Sequence, residues 1–90
     1  MRTHFRRDRL PDPAKYFEEQ GFTFIGGGEW RSTKCVFHPD HDPSLRVRLA
    51  SGSFRCMTCG AKGGNIVDFH MKRHGLDFKE TARELGAWEE

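Results

Sequence analysis

Cys35 and His38 stand three positions apart, Cys56 and Cys59 repeat that spacing, and seventeen residues, 39–55, separate the two pairs. Two C-x2-[CH] knuckles of this kind supply the tetrahedral Cys3His set that a structural Zn²⁺ prefers. Four protein donors close the shell, so no position is left for water or a substrate, and the site reads as structural and not catalytic. The chain has three cysteines, an odd number that a complete disulfide framework would leave with one stranded thiol. Spent on a metal together with His38, all three are used. His41 and Asp42 lie nearby in sequence, but the shell is full without them. His70 and His74 are four apart and share a helical face, yet they lack an HExxH pattern or a third ligand and read as packed or solvated side chains.

A metal staple suits the composition. Ninety residues bound a single small domain, and 36 % hydrophobic against 31 % charged residues leaves a thin core. The net charge of +2 is unevenly spread: residues 31–74 carry eight Lys/Arg against three Asp/Glu, whereas residues 75–90 carry two against five. Zinc with three thiolates sums to −1, so the basic excess around the knuckles survives metal binding and favours a phosphate-bearing partner. No apolar run reaches the roughly 20 residues needed to cross a bilayer, and the first ten residues lack the apolar stretch of a secretory signal. Reduced thiols and the lack of a targeting segment set a cytoplasmic expectation.

The elements that must position the knuckles follow from local signals. Residues 1–11 form a basic arm with Arg2, Arg6, Arg7 and Arg9, read either as a frayed end or as an accessory nucleic-acid contact. Residues 12–86 make one domain and 87–90 a tail, with Trp88 folding back as a cover. Asp12 caps a helix that Pro13 begins and Gly21 ends. Residues 22–25 and 29–34 read as strands joined by a hairpin turn at Gly26-Gly27-Gly28, which lacks the Gly-Lys-Ser/Thr ending of a phosphate loop. Residues 39–43, with two prolines, make a rigid loop.

Residues 44–49 alternate, Leu45, Val47 and Leu49 on one face and Ser44, Arg46 and Arg48 on the other. A two-residue turn at Ser51-Gly52 would pair Leu49 with Phe54 and Arg48 with Arg55. That puts Arg46, Arg48 and Arg55 on one exposed face, read either as a solvated strand face or as an anion-binding one, with Lys34 and Lys62 flanking. Residues 60–64 read as a flexible exit. Asn65 caps a helix over 66–74 closed by Gly75, and Asp77 with Glu80 caps another over 78–85 stopped by Gly86.

Cys35-x2-His38, the step Pro43-Ser44-Leu45 into an alternating strand, and Phe54-Arg55-Cys56-Met57-Thr58-Cys59-Gly60 resemble the CHC2-type zinc-binding domain of bacterial and phage DNA primases. The run Gly64-Asn65-Ile66-Val67-Asp68-Phe69 and the later Leu76-Asp77-Phe78-Lys79-Glu80-Thr81-Ala82 are similar to the helices after the family's zinc site. The resemblance covers roughly residues 30–85 and implies a small α+β zinc ribbon, an antiparallel sheet carrying one structural zinc and flanked by short helices. It implies single-stranded DNA as partner in primer synthesis, with phosphoryl transfer left to a separate catalytic domain. That catalytic domain, a helicase or another replication protein is the implied protein partner. The expected DNA contacts are Arg46, Arg48, Arg55, Lys34 and Lys62. A stacked base would rest on Phe54, Phe37 or Trp30, because Met57 stands where the family pattern suggests a more aromatic hairpin end. The alternative is a protein-interaction module of a replication or mobile-element protein, in which zinc is scaffold and the basic face docks an acidic partner.

Overall fold

Asp12 opens the first helix by accepting a hydrogen bond from the Lys15 N–H, and Pro13 supplies a fixed φ where no donor is needed. In the computed structural model, which describes residues 4–39 and 43–89, this helix is α1, Pro13–Glu19. Four strands follow, β1 Trp30–Thr33, β2 Leu45–Arg48, β3 Ser53–Cys56 and β4 Lys62–Gly63, then α2 Ile66–His74 and α3 Phe78–Glu84. The Asn65 side chain caps α2 at Asp68 N–H, while Asp68 reaches back to Gly64 N–H. Gly75 ends α2 in the left-handed region, and Asp77 caps α3 at Glu80 N–H. The starts of α1, α2 and α3 therefore match their sequence signals. Arg2, Asp40, His41 and Asp42 lie outside the described residues.

The strands form one antiparallel sheet in the order β1-β2-β3-β4. Leu45, Val47, Phe54 and Cys56 point inward and are buried, and α1 and α2 close over them with Tyr16, Phe17, Ile66 and Phe69. Phe69 is fully buried at the centre. Its ring meets Phe17 at 4.9 Å, Phe54 at 5.1 Å, Phe37 at 5.4 Å and Phe22 at 5.5 Å, mostly edge to face, the arrangement aromatic quadrupoles favour. At the rim of this core His70 Nε2 donates to Glu84 at 2.8 Å, and its Nδ1 meets the Tyr16 hydroxyl at 2.7 Å, so one packed histidine ties α1, α2 and α3 together.

Three expectations are corrected. Residues 22–25 are not a strand; only Ile25 bridges to Ser32, because Phe22 and Phe24 both turn onto Phe17 and the Phe22 N–H closes the end of α1 on Phe17 O. The β2–β3 register differs by two residues from a Ser51-Gly52 hairpin: Arg46 faces Arg55, Val47 faces Phe54 and Arg48 faces Ser53. Residues 49–52 form a longer turn in which Arg48 O accepts both the Ser51 and Gly52 N–H, and Gly52 sits buried at φ +81 against Ile66. An even shift keeps every side chain on its expected face. Third, the segment after Cys59 is no loose exit. The Cys56 N–H donates to Ala61 O at 2.7 Å and Lys62-Gly63 pairs with β3.

Candidate metal centre and nucleic-acid face

The two knuckles meet at the end of the β2–β3 hairpin. Cys56 is the last residue of β3 and points inward, so the alternation that buries Phe54 also aims this thiol at the first knuckle. The donor atoms of Cys35, His38, Cys56 and Cys59 all lie within 4.8 Å of one another. A Zn–S bond of about 2.3 Å places tetrahedral sulfurs about 3.8 Å apart, and about 3.5 Å from a ligating nitrogen. Cys35 Sγ and Cys59 Sγ are 3.9 Å apart, far beyond a disulfide, and His38 Nε2 is 3.3 Å from Cys56 Sγ.

Groups around the donors prepare them for a cation. His38 Nδ1 donates to Pro39 O at 2.7 Å, which leaves the Nε2 lone pair for the metal. Backbone N–H groups of Thr58 and Cys59, each 3.4 Å away, point at Cys56 Sγ, and that of Phe37 at Cys35 Sγ. Burial works against ionising Cys56, but its hydrogen bonds with the Cys59 N–H, Ser44, the Thr58 N–H and His38 outweigh it and bring the thiol down to about 5. Burial pushes the Cys35 thiol up to about 12, so metal uptake must displace a proton there. The Cys3His cluster fits one structural zinc ion. Ser44, whose Oγ is 3.4 Å from both Cys56 Sγ and His38 Nε2, belongs to the site although its sequence signal was only the Pro43-Ser44-Leu45 step.

The outer face of the same strands is basic. Across the sheet Ser32, Arg46, Arg55 and Lys62 fall in one row, and Trp30, Arg48 and Ser53 in the next. Like charges directly opposite each other destabilise a sheet by a few tenths of a kcal/mol or more, roughly, unless an anion sits between them. Arg46 and Arg55 line a cleft of ≈ 320 Å³ whose other walls are Trp30 and Met57, both exposed. Arg48 stands beside them, held by Glu29 at 2.8 Å.

The expected contact residues therefore divide. Arg46, Arg55 and Lys62 share one row, and Arg48 is next to it with a carboxylate partner. Lys34 lines a different groove, with Ile25, Val36 and Arg73. Phe54 is 2 % exposed and faces Phe69, so its ring is not offered to a base, which corrects the expectation that placed it among the DNA contacts. Phe37 is half-buried against the same ring. Trp30 is the aromatic ring on the basic face. Met57 was missed as a cleft wall, although its position two after Arg55 assigns it to the same side.

Comparison with known proteins agrees with the fold and the Cys3His site. The CHC2 zinc finger family model matches residues 26–89. DNA primases of Escherichia coli strain K12 and of Geobacillus stearothermophilus are each 42 % identical over 53 residues, covering 59 % of this chain and 9 % of theirs. That of Buchnera aphidicola is 36 % identical over 58 residues, 64 % of this chain and 10 % of its own. The chain thus spans about a tenth of the length of these relatives. Among solved structures, the Aquifex aeolicus primase, described as its zinc-binding and RNA polymerase domains, superposes with a TM-score of 0.75 at 28 % identity, covering 96 % of this chain and 21 % of that one.

Proposed function

This chain belongs to the CHC2 zinc-finger family of primases, and from that premise we propose that it is a zinc domain that binds single-stranded DNA during replication priming and carries no catalytic chemistry of its own. The observation that carries the reading is the cross-strand row of Arg46, Arg55 and Lys62 with Trp30 and Met57 beside it, on the outer face of strands pinned by the metal. Phosphates neutralise the facing arginines, and a base stacks on Trp30, a contact worth about 1–3 kcal/mol in other single-strand binders. Arg48 joins once Glu29 releases it. The metal acts by position: with four protein donors it has no open coordination site, so its contribution is to hold the hairpin that presents the row. On this reading phosphoryl transfer belongs to a separate catalytic domain, and the chain works in the cytoplasm beside the replication machinery.

The test is a fluorescence-anisotropy titration of a labelled single-stranded oligonucleotide at several salt concentrations. Three cation–phosphate contacts give a slope of log K against log salt of about −2, and Arg46→Ala with Arg55→Ala reduces it to about −0.7. Affinity of that double variant at low salt falls by about tenfold or more. Equal affinity of wild type and double variant, or a wild-type affinity indifferent to salt, overturns the phosphate-contact reading.

A further inference from the structure

A second groove, of ≈ 390 Å³, lies between the end of α1, residues 21–25, the end of β1 and α2, with walls that include Phe22, Ile25, Lys34, Val36, Pro43 and Arg73. It shares no lining residue with the arginine cleft. Two large aliphatic side chains stand open on its walls, Ile25 at 59 % and Val36 at 42 % exposure, and supply its apolar contact surface. The described lining holds two cations and no carboxylate. The Arg73 guanidinium lies over the Phe22 ring, 5.1 Å from its centre, and its Nη1 is buried with no hydrogen-bond partner among the described residues. A buried charged donor without an acceptor is costly, and a cation–π contact offsets only part of that. With Arg73 and Lys34 both on its walls, the groove suits a carboxylate, which a guanidinium fork grips with two parallel bonds.

We propose that this groove docks a short apolar segment of a partner protein carrying a carboxylate. Aliphatic side chains of the segment seat on Ile25 and Val36, and its carboxylate meets Arg73 and Lys34. The walls favour a peptide over a nucleic acid: the open surface is aliphatic, and the Phe22 ring, the aromatic wall, is already covered by Arg73. The site is separate from the DNA face and does not depend on it.

The zinc-loaded chain, labelled on Ile and Val methyl groups, tests the idea by NMR. The probes are pooled hexapeptides alternating Asp or Glu with Leu, Ile or Phe, the same pools with Lys in place of the acids, and a single-stranded oligonucleotide. The acidic pool should move the Ile25 and Val36 methyl signals to saturation, and the lysine pool should bind about tenfold more weakly or worse, as loss of a charge-assisted pair implies. Arg73→Gln should weaken the acidic pool about tenfold, and the exposed Lys34→Gln, which touches no core contact, should weaken it in the same direction. Arg46→Ala with Arg55→Ala should leave it unchanged. Equal response to acidic and lysine pools, unmoved Ile25 and Val36 signals, or a stronger shift of those signals by the oligonucleotide would each overturn the proposal.

Discussion

Glu29 holds the Arg48 guanidinium at 2.8 Å on the face that Arg46, Arg55 and Trp30 share, so a carboxylate already occupies a place where a phosphate would bind. Both partners are well exposed, and pairs of this kind contribute about 0–1 kcal/mol. A nucleic-acid strand can therefore displace Glu29 at small cost, but it must do so against a negative charge. Replacing Glu29 by Gln should raise affinity for a single-stranded oligonucleotide about two- to fivefold at low salt, a gain that fades near 1 M salt, where the screening length is about 3 Å. Anisotropy titrations would show it, and a loss of affinity would mean instead that Glu29 orients Arg48 for binding. At the metal, Cys59→Ser removes a thiolate that no other described residue replaces. It should lower zinc content well below one per chain by metal analysis, whereas His74→Ala, outside the cluster, should leave it at about one, as a single closed site requires.

Short-range chemistry made some elements readable in the sequence and long-range packing hid others. The caps at Asp12, Asn65 and Asp77 act within three residues, so their sequence patterns translate directly into helix starts. The zinc knuckles are similarly local, and the arginine face survived a register error because an even shift preserves alternation. The extended turn at residues 49–52 depends on Gly52 meeting Ile66, and β4 depends on Gly63 meeting Phe54, contacts that local sequence does not announce. The choice between Phe54 and Trp30 as the exposed ring was hidden likewise, since it turns on where α2 lands. A Cβ on Gly63 would come within 2.7 Å of both the Phe54 ring and Asp68 Cβ. Gly63→Ala should therefore cost about 1–3 kcal/mol, read as a lower midpoint in thermal or urea unfolding, with the β3–β4 edge and its Lys62 displaced.

For the whole molecule the decisive quantity is what the metal adds. Structural zinc contributes about 10–16 kcal/mol in small domains, comparable to or larger than the total stability of about 5–15 kcal/mol that a folded domain has. The aromatic cluster around Phe69 is well packed but small, and two strands run into the knuckles, β1 stopping two residues before Cys35 and β3 ending on Cys56. Chelation should unfold the domain, seen as loss of the far-ultraviolet circular dichroism signal, and an unchanged melting curve would refute this. The same architecture keeps the two ends of the described chain together. Phe5 bridges Trp88, the Arg6 N–H donates to Ala87 O at 2.7 Å and the Glu89 N–H to His4 O at 2.8 Å, with Arg6 and Glu89 ion-paired alongside. Mechanical tension applied between residues 4 and 89 would thus fall first on this short ladder, whose bonds open one after another. The zinc hairpin would bear load only after the ladder had parted, so a tug on the ends need not disturb the row of Arg46, Arg55 and Lys62.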